Sequence, residues 1–130
     1  MLRILVIEDS PINMVLMAAI LEHAGHTMLK AETAGIGLEI ARQHQPDLVL
    51  MDLQLPDIDG LAATRILKSD RKTSNIPVIA LTAFAMKGDE DESRAAGCDG
   101  HVTKPMRYKE FLSEVERVLG ARRGEVLGQD

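Results

Sequence analysis

The sequence predicts a doubly wound α/β fold, in which a five-stranded parallel sheet of strand order 2-1-3-4-5 carries five helices on its two faces. Three observations predict it. A chain of 130 residues has room for one domain. Short aliphatic runs alternate with segments of helical spacing in five β-α pairs. Two of these runs are apolar at nearly every position, as in strands buried on both faces, and right-handed crossovers then place helices on both faces.

The predicted strands are short runs of aliphatic and β-branched residues bounded by polar or glycine-containing segments. The second and fifth runs are weaker than the other three. The five runs are Leu2 to Ile7, Thr27 to Ala31, Leu48 to Met51, Val78 to Leu81 and Gly100 to Thr103.

The first predicted helix has clear start and stop signals. Ser10 is a candidate N-cap, Pro11 suits the first helical position and Gly25 ends the helix. The i, i+3, i+4 spacing predicts an apolar face on this helix. That face consists of Ile12, Val15, Leu16, Ala19, Ile20 and His23.

The other four helices are predicted from the same spacing. The fourth has a weak apolar stripe, so we expect it to be the least firmly packed. The last has the clearest stripe, and we expect it to stop at Gly120 and to leave residues 121–130 as a disordered tail behind a domain of residues 1–120. The predicted helices are Ala34 to His44, Ile58 to Lys68, Ala85 to Ala96 and Tyr108 to Gly120.

Composition and charge exclude several classes of function. The formal charge is −5, no short window is dominated by Lys and Arg, and aromatic residues make up 2% of the chain, so we expect no direct nucleic-acid binding. The single cysteine, Cys98, rules out a disulfide framework. The apolar run at the start is too short for a signal peptide or a membrane span, so we expect a cytoplasmic protein that does not bind membranes.

Chemically capable side chains stand just past the predicted strand ends. In an open parallel sheet, ligands bind beyond the carboxyl ends of the strands. Glu8 and Asp9 follow the first strand, Asp52 the third, Thr82 the fourth and Lys104 the fifth. An aspartate after a strand is by itself more often a turn former or a helix cap. The joint occurrence of all these groups at one sheet edge favours a functional site.

The chemistry of these groups fits phosphoryl transfer. Neighbouring carboxylates repel one another unless a cation joins them, and an all-oxygen ligand set suits Mg²⁺. Lys104 and the Thr82 hydroxyl complete a site for a phosphoryl group. Asp52, at the end of the central strand, is the best-placed carboxylate nucleophile.

These residues lie in motifs that resemble bacterial response-regulator receiver domains, which have a flavodoxin-like fold. The motifs are VIEDSPIN, LVLMDLQLPDIDG, IPVIALTA and HVTKP, and the resemblance covers about residues 2–120. The stretch ALTAFAMKGDE is similar to single-domain regulators of the DivK type and to receivers attached to hybrid histidine kinases.

The resemblance implies a phosphoacceptor site that contains Mg²⁺. Asp52 would be phosphorylated by a histidine kinase or a histidine phosphotransfer protein. Asp9 and Asp52 would bind the metal directly, Glu8 would act mainly through water, and the backbone carbonyl of Gln54 would be the third protein ligand. The chain would then be a signalling domain and not an enzyme.

The resemblance also implies a switch. Thr82 would move toward the phosphoryl oxygens, Lys104 would pair with them, and Pro105 would follow a cis peptide bond. His101 stands where the family usually has an aromatic residue, which puts the usual rotamer switch in question. The output would be the binding of a downstream protein through the fourth helix, fifth strand and fifth helix.

Four other readings remain open. An aspartate-nucleophile phosphohydrolase would resemble this pattern but carries a second Asp where this chain has Gln54. A flavin-binding module would need a phosphate-binding loop after the first strand. A receiver that signals without phosphorylation, or one excised from a hybrid histidine kinase, would share the same acidic site.

Overall fold

The computed structural model describes residues 2–82, 87–103 and 107–127, with side chains throughout except at 87–90 and 121–127. Its centre is a parallel five-stranded sheet. The strands are β1 (Arg3–Ile7), β2 (Thr27–Ala31), β3 (Leu48–Asp52), β4 (Val78–Thr82) and β5 (Gly100–Thr103). Their order in the sheet is β2-β1-β3-β4-β5, so the predicted fold class and strand order are confirmed.

Five helices connect the strands and cover both faces of the sheet. They are α1 (Pro11–His23), α2 (Ala34–His44), α3 (Gly60–Ser69), α4 (Lys87–Ala96) and α5 (Tyr108–Leu127). The sheet separates two apolar layers. In one layer, β-strand residues such as Ile4 and Leu50 pack with α1 and α5, and in the other Leu5 and Val49 pack with α2 and α3.

Side-chain caps set the starts of the first three helices. Ser10 accepts a hydrogen bond from the Asn13 N–H at 3.3 Å, as the sequence predicted. Thr33 caps α2 in the same way. Asp59 accepts from the Ala62 N–H at 2.8 Å, so α3 begins at Gly60 and not at the predicted Ile58.

Most of the residues predicted to form the apolar face of α1 are exposed instead of packed against the sheet. Ile12 is 81% exposed, Val15 70% and Leu16 41%, whereas Ile20 is buried as predicted. The helix is apolar around most of its circumference, so the 3.6-residue period is satisfied by two different faces and cannot select between them. The buried residues are Met14, Met17, Ile20 and Leu21.

The predicted end of α5 is also wrong, because the helix continues through Gly120 to Leu127. A glycine inside a helix costs about 1 kcal/mol relative to alanine, which weakens a helix without ending it. The division into a domain of residues 1–120 and a disordered tail stays a prediction.

Helix α4 buries only small side chains over residues 91–96, where the structure describes them. These are Ser93 and Ala96. Small side chains remove little apolar surface from water, which supports the prediction of a weakly packed helix. Over the part of the chain that the structure describes, no helix is both long and apolar enough to cross a membrane.

Candidate functional site

Three carboxylates meet at the carboxyl edge of the sheet. Glu8 and Asp9 follow β1, and Asp52 is the last residue of β3, the strand beside it. One carboxylate oxygen from each residue lies within 4.8 Å of those of the other two. Glu8 and Asp52 are buried and Asp9 is exposed. The cluster predicted from the strand ends is therefore present in the fold.

Backbone hydrogen bonds fix two of the three acids. The Glu8 N–H donates to the Ala31 carbonyl at 2.9 Å, and Glu8 Oε2 accepts from the Ser10 N–H at 3.0 Å. Asp52 Oδ1 accepts from the Gln54 N–H at 3.0 Å. These bonds hold the carboxylates in place before any ligand arrives.

The donor set fits a hard divalent cation. Mg²⁺ binds oxygen ligands at about 2.0–2.1 Å, so two of its ligands lie at most about 4.2 Å apart. The 4.8 Å spread of the three carboxylates exceeds this limit only slightly. Small side-chain movements, or an intervening water on one acid, bring the group within the reach of a single ion, which would also relieve the repulsion between the acids.

The start of α3 lies directly against the backbone of Asp52. A Cβ added at Gly60 would come 2.3 Å from the Asp52 carbonyl oxygen and 2.7 Å from Leu53 Cα. The Gly60 N–H donates to the Leu53 carbonyl at 3.1 Å. Residues 53–59 therefore form a closed loop whose two ends meet beside the acid cluster.

Thr82 and His101 lie on the same face of the sheet. Ala80 is the register partner of His101, and Thr82, two residues beyond Ala80, points to the same side. Thr82 is buried and His101 is half-buried. Both ring nitrogens of His101 are buried without a hydrogen-bond partner within the described ranges.

Two predicted site residues, Lys104 and Pro105, lie outside the described residues. Their predicted roles, as phosphoryl partner and as the residue after a cis peptide bond, stay predictions. Gln54 is exposed and follows Asp52 closely, and the metal-ligand role of its carbonyl also stays a prediction.

Sequence reasoning missed Asp57. Its Oδ1 accepts from the Ala34 N–H at 2.9 Å and its Oδ2 from the Gly35 N–H at 2.8 Å, so one carboxylate ties the β3–α3 loop to the N-terminus of α2. The Gly35 and Ala34 hydrogen bonds lower the pKa of Asp57 below its usual value. The partners lie more than twenty residues away in the chain, so no local pattern indicates the contact.

The fold and the acid cluster together define an α/β domain that has an aspartate, with two neighbouring acids, at the end of its central strand. The sequence model of the family named response regulator receiver domain matches residues 4–116, so the chain belongs to this family. The polar-differentiation response regulator DivK of Brucella ovis is 41% identical over 117 residues, which cover 90% of this chain and 95% of that protein.

Solved structures agree with the family. The receiver domain of a sensor histidine kinase from Pseudomonas aeruginosa, determined with a magnesium ion coordinated in its active-site cleft, is 31% identical with a TM-score of 0.84, over 92% of this chain and 98% of that chain. The receiver domain of a histidine kinase from Syntrophus aciditrophicus has the same identity and TM-score over 93% and 92%.

Family membership confirms the resemblance predicted from the sequence and the general signalling function that this resemblance implied. The chain is a DivK-like response-regulator receiver, a member of a family that acts in phosphorelay signalling. Receiver domains of this family interact with histidine kinases and with downstream effectors.

Proposed function

We propose that this chain accepts a phosphoryl group on Asp52 from the phosphohistidine of a histidine kinase or a histidine phosphotransfer protein, with Mg²⁺, and then signals by binding another protein. The observation that carries the proposal is the buried Asp52 carboxylate within 4.8 Å of the Glu8 and Asp9 carboxylates at the sheet edge. The chain is a phosphoacceptor that assists its own phosphorylation, without turnover of a free substrate.

In the transfer step, a carboxylate oxygen of Asp52 forms a bond to phosphorus while the bond from phosphorus to the histidine nitrogen breaks. The electron pair of that bond stays on the imidazole of the donor. Bound Mg²⁺ would neutralise charge on the phosphoryl oxygens. The Gln54 N–H orients the Asp52 carboxylate, and Lys104 would pair with a phosphoryl oxygen.

The exposed aliphatic side chains of α1 support a docking surface for the phosphodonor protein. We define the α1 apolar face as Ile12, Val15 and Leu16. These residues share one side of a helix that begins two residues after Asp9, and this position supports contact with a protein that delivers a phosphoryl group to Asp52. Exposed apolar side chains that cluster beside a reactive group are typical of interaction sites.

The output surface is α4, β5 and α5. Its first helix buries only small residues where its side chains are described, so it is displaced at low free-energy cost. Thr82 and His101 lie on the sheet face toward this helix. This arrangement supports a switch in which a movement of the Thr82 side chain on phosphorylation is transmitted to the output surface next to His101. A His101→Tyr variant is expected to alter partner affinity more than it alters phosphorylation of Asp52.

The phosphoacceptor assignment is tested with a small phosphodonor and Mg²⁺. Wild type should be labelled, Asp52→Asn should not, and excess chelator should abolish labelling. Asp59→Asn is the matched control, because it makes the same chemical change seven residues on and keeps an oxygen for the α3 cap. Equal labelling of Asp52→Asn and wild type would overturn the assignment.

The docking surface is tested by comparing two phosphodonors. Val15→Ser should slow phosphotransfer from a kinase or phosphotransfer protein by about tenfold or more, as for an interface anchor, and leave labelling by a small phosphodonor unchanged. Ile66→Ser, on α3 and 48% exposed, is the control for loss of an exposed aliphatic side chain. Equal slowing with both donors would show damage to the site and not to docking.

A further inference from the structure

The β3–α3 loop, residues 53–59, leaves β3 after Asp52 and is tied to the N-terminus of α2 through the Asp57 side chain. Its ends are closed by the Gly60 N–H to Leu53 carbonyl hydrogen bond. Its middle is held by Asp57, whose two carboxylate oxygens take the Ala34 and Gly35 N–H groups at 2.9 and 2.8 Å. A carboxylate at a helix N-terminus is also favoured by the helix dipole.

Helix α2, whose N-terminus Asp57 contacts, packs against the end of the strand that leads into Glu8 and Asp9. A Cβ added at Gly37 of α2 would come 2.4 Å from Cδ1 of Ile7, the residue before Glu8, so the helix lies against the end of β1. Ala31, at the end of β2, accepts the Glu8 N–H. These contacts fix the position of the start of α2 relative to the backbone that carries Glu8 and Asp9.

These contacts form a continuous connection between the Glu8 and Asp9 pair, which follows β1, and Asp52, which ends β3. It runs from Glu8 through Ala31 and the start of α2 to Asp57, and from there along the loop to Gln54, whose N–H holds Asp52 Oδ1. Gln54 lies only three residues from Asp57. A displaced loop tip therefore changes the backbone that orients Asp52.

We propose that Asp57 is a positioning residue of the phosphoacceptor site, which fixes the backbone at Gln54 relative to Glu8 and Asp9 by fastening the β3–α3 loop to α2. The proposal rests on the proposed Mg²⁺ and phosphoacceptor function of the cluster. Asp57 is not one of the three clustered carboxylates, and its two oxygens are taken by the Ala34 and Gly35 N–H groups, so it would act through the loop and not as a metal ligand.

The test compares Asp57→Ala with two control variants by titration of Mg²⁺ alone in a calorimeter and by amide hydrogen exchange without metal. Thr33→Ala removes a cap from the same helix N-terminus and leaves the loop untouched. Asp59→Asn removes one negative charge from the same loop and keeps the α3 cap. Asp57→Ala should weaken Mg²⁺ binding about tenfold, as for other residues that orient metal ligands, and speed exchange at Gln54 and Gly60. Both controls should stay within about twofold of wild type.

Each alternative outcome overturns the inference. Equal weakening by Thr33→Ala would assign the effect to α2 stability, and equal weakening by Asp59→Asn would assign it to net charge. Wild-type affinity in Asp57→Ala would show that the tether does not position the site. If Asp57→Ala does not fold, Asp57→Asn, which keeps one acceptor oxygen, takes its place. Failure of wild type itself to bind Mg²⁺ would instead refute the proposed function.

Discussion

The Glu114 carboxylate on α5 accepts a hydrogen bond from the backbone N–H of His101 on β5 at 2.7 Å. Arg117 holds the same carboxylate through two hydrogen bonds of 2.9 and 2.8 Å. Gly100 makes this approach possible, because a Cβ there would come 2.8 Å from Glu114 Oε2. Strand β5 and helix α5 are therefore joined into one unit, and within the proposed output surface we expect α4 to move relative to that unit.

Glu114→Ala is expected to lower the free energy of unfolding at pH 7 by about 1–2 kcal/mol, because the His101 N–H loses its acceptor. Glu110→Ala, which removes an exposed acid from the same helix, should change it by less than about 0.5 kcal/mol. Urea unfolding measures both. The Arg117 hydrogen bonds hold the pKa of Glu114 below its usual value, so its contribution is present above the unfolded pKa and is lost as the pH falls through the lower folded pKa. Equal losses in the two variants at pH 7 would contradict the assignment.

Gly60→Ala is expected to lower the free energy of unfolding by about 2 kcal/mol or more and to slow phosphorylation of Asp52, since the added Cβ meets backbone atoms that cannot rotate away. Gly120→Ala is the contrasting change. Gly120 lies inside α5, and outside the backbone of its own helix no atom among the described residues comes within 4 Å of the added Cβ, so the change should raise stability by up to about 1 kcal/mol. Thermal unfolding and labelling with a small phosphodonor measure both effects.

The Asp57 tether should give acid-dependent stability. Hydrogen bonds from Gly35 and Ala34 lower the pKa of Asp57, so its contribution is fully present above the unfolded pKa of about 3.9 and is lost as the pH falls through the lower folded pKa. The difference in urea midpoint between wild type and Asp57→Ala should therefore shrink as the pH is lowered from 5 to 2.5. The corresponding difference for Thr33→Ala, which involves no titrating group, should stay constant. A pH-independent difference for Asp57→Ala would argue against an ionised tether.

His101→Phe is expected to raise the free energy of unfolding by about 1 kcal/mol, because it replaces two buried ring nitrogens that have no partner among the described residues with carbon. Denaturant unfolding at pH 8 measures the change. Lower stability of the variant would show that ordered water satisfies those nitrogens. Under the proposed switch, the same variant also changes the affinity of the downstream protein.

Most of the fold follows from local signals. The Ser10 cap, the aliphatic strands and the five β-α pairs predict the fold class, and the bounds of α2 at Ala34–His44 agree with the prediction. The strand-end rule brings Glu8, Asp9 and Asp52 together without any knowledge of distances, because parallel strands place their carboxyl ends at one edge.

The features that the sequence did not predict depend on tertiary contacts. The buried side of α1 was misassigned because both sides of that helix carry apolar residues, and only the neighbouring sheet and α5 decide which is covered. The Asp57 tether joins segments more than twenty residues apart. The α5 end was placed too early because Gly120 was read as a stop, although a helical glycine has only a modest cost.

The α1 apolar face also limits how accurately this chain distinguishes one upstream signal from another. Under the proposed docking, Ile12, Val15 and Leu16 would recognise a partner mainly by shape, and one methylene in an apolar contact is worth about 1–3 kcal/mol, or roughly 10- to 200-fold in discrimination. Insulation from the other phosphohistidine proteins of a cell would then depend on single methyl groups. Under the same proposal, a change as small as Val15→Ile is expected to alter the preference of this chain among phosphodonor proteins.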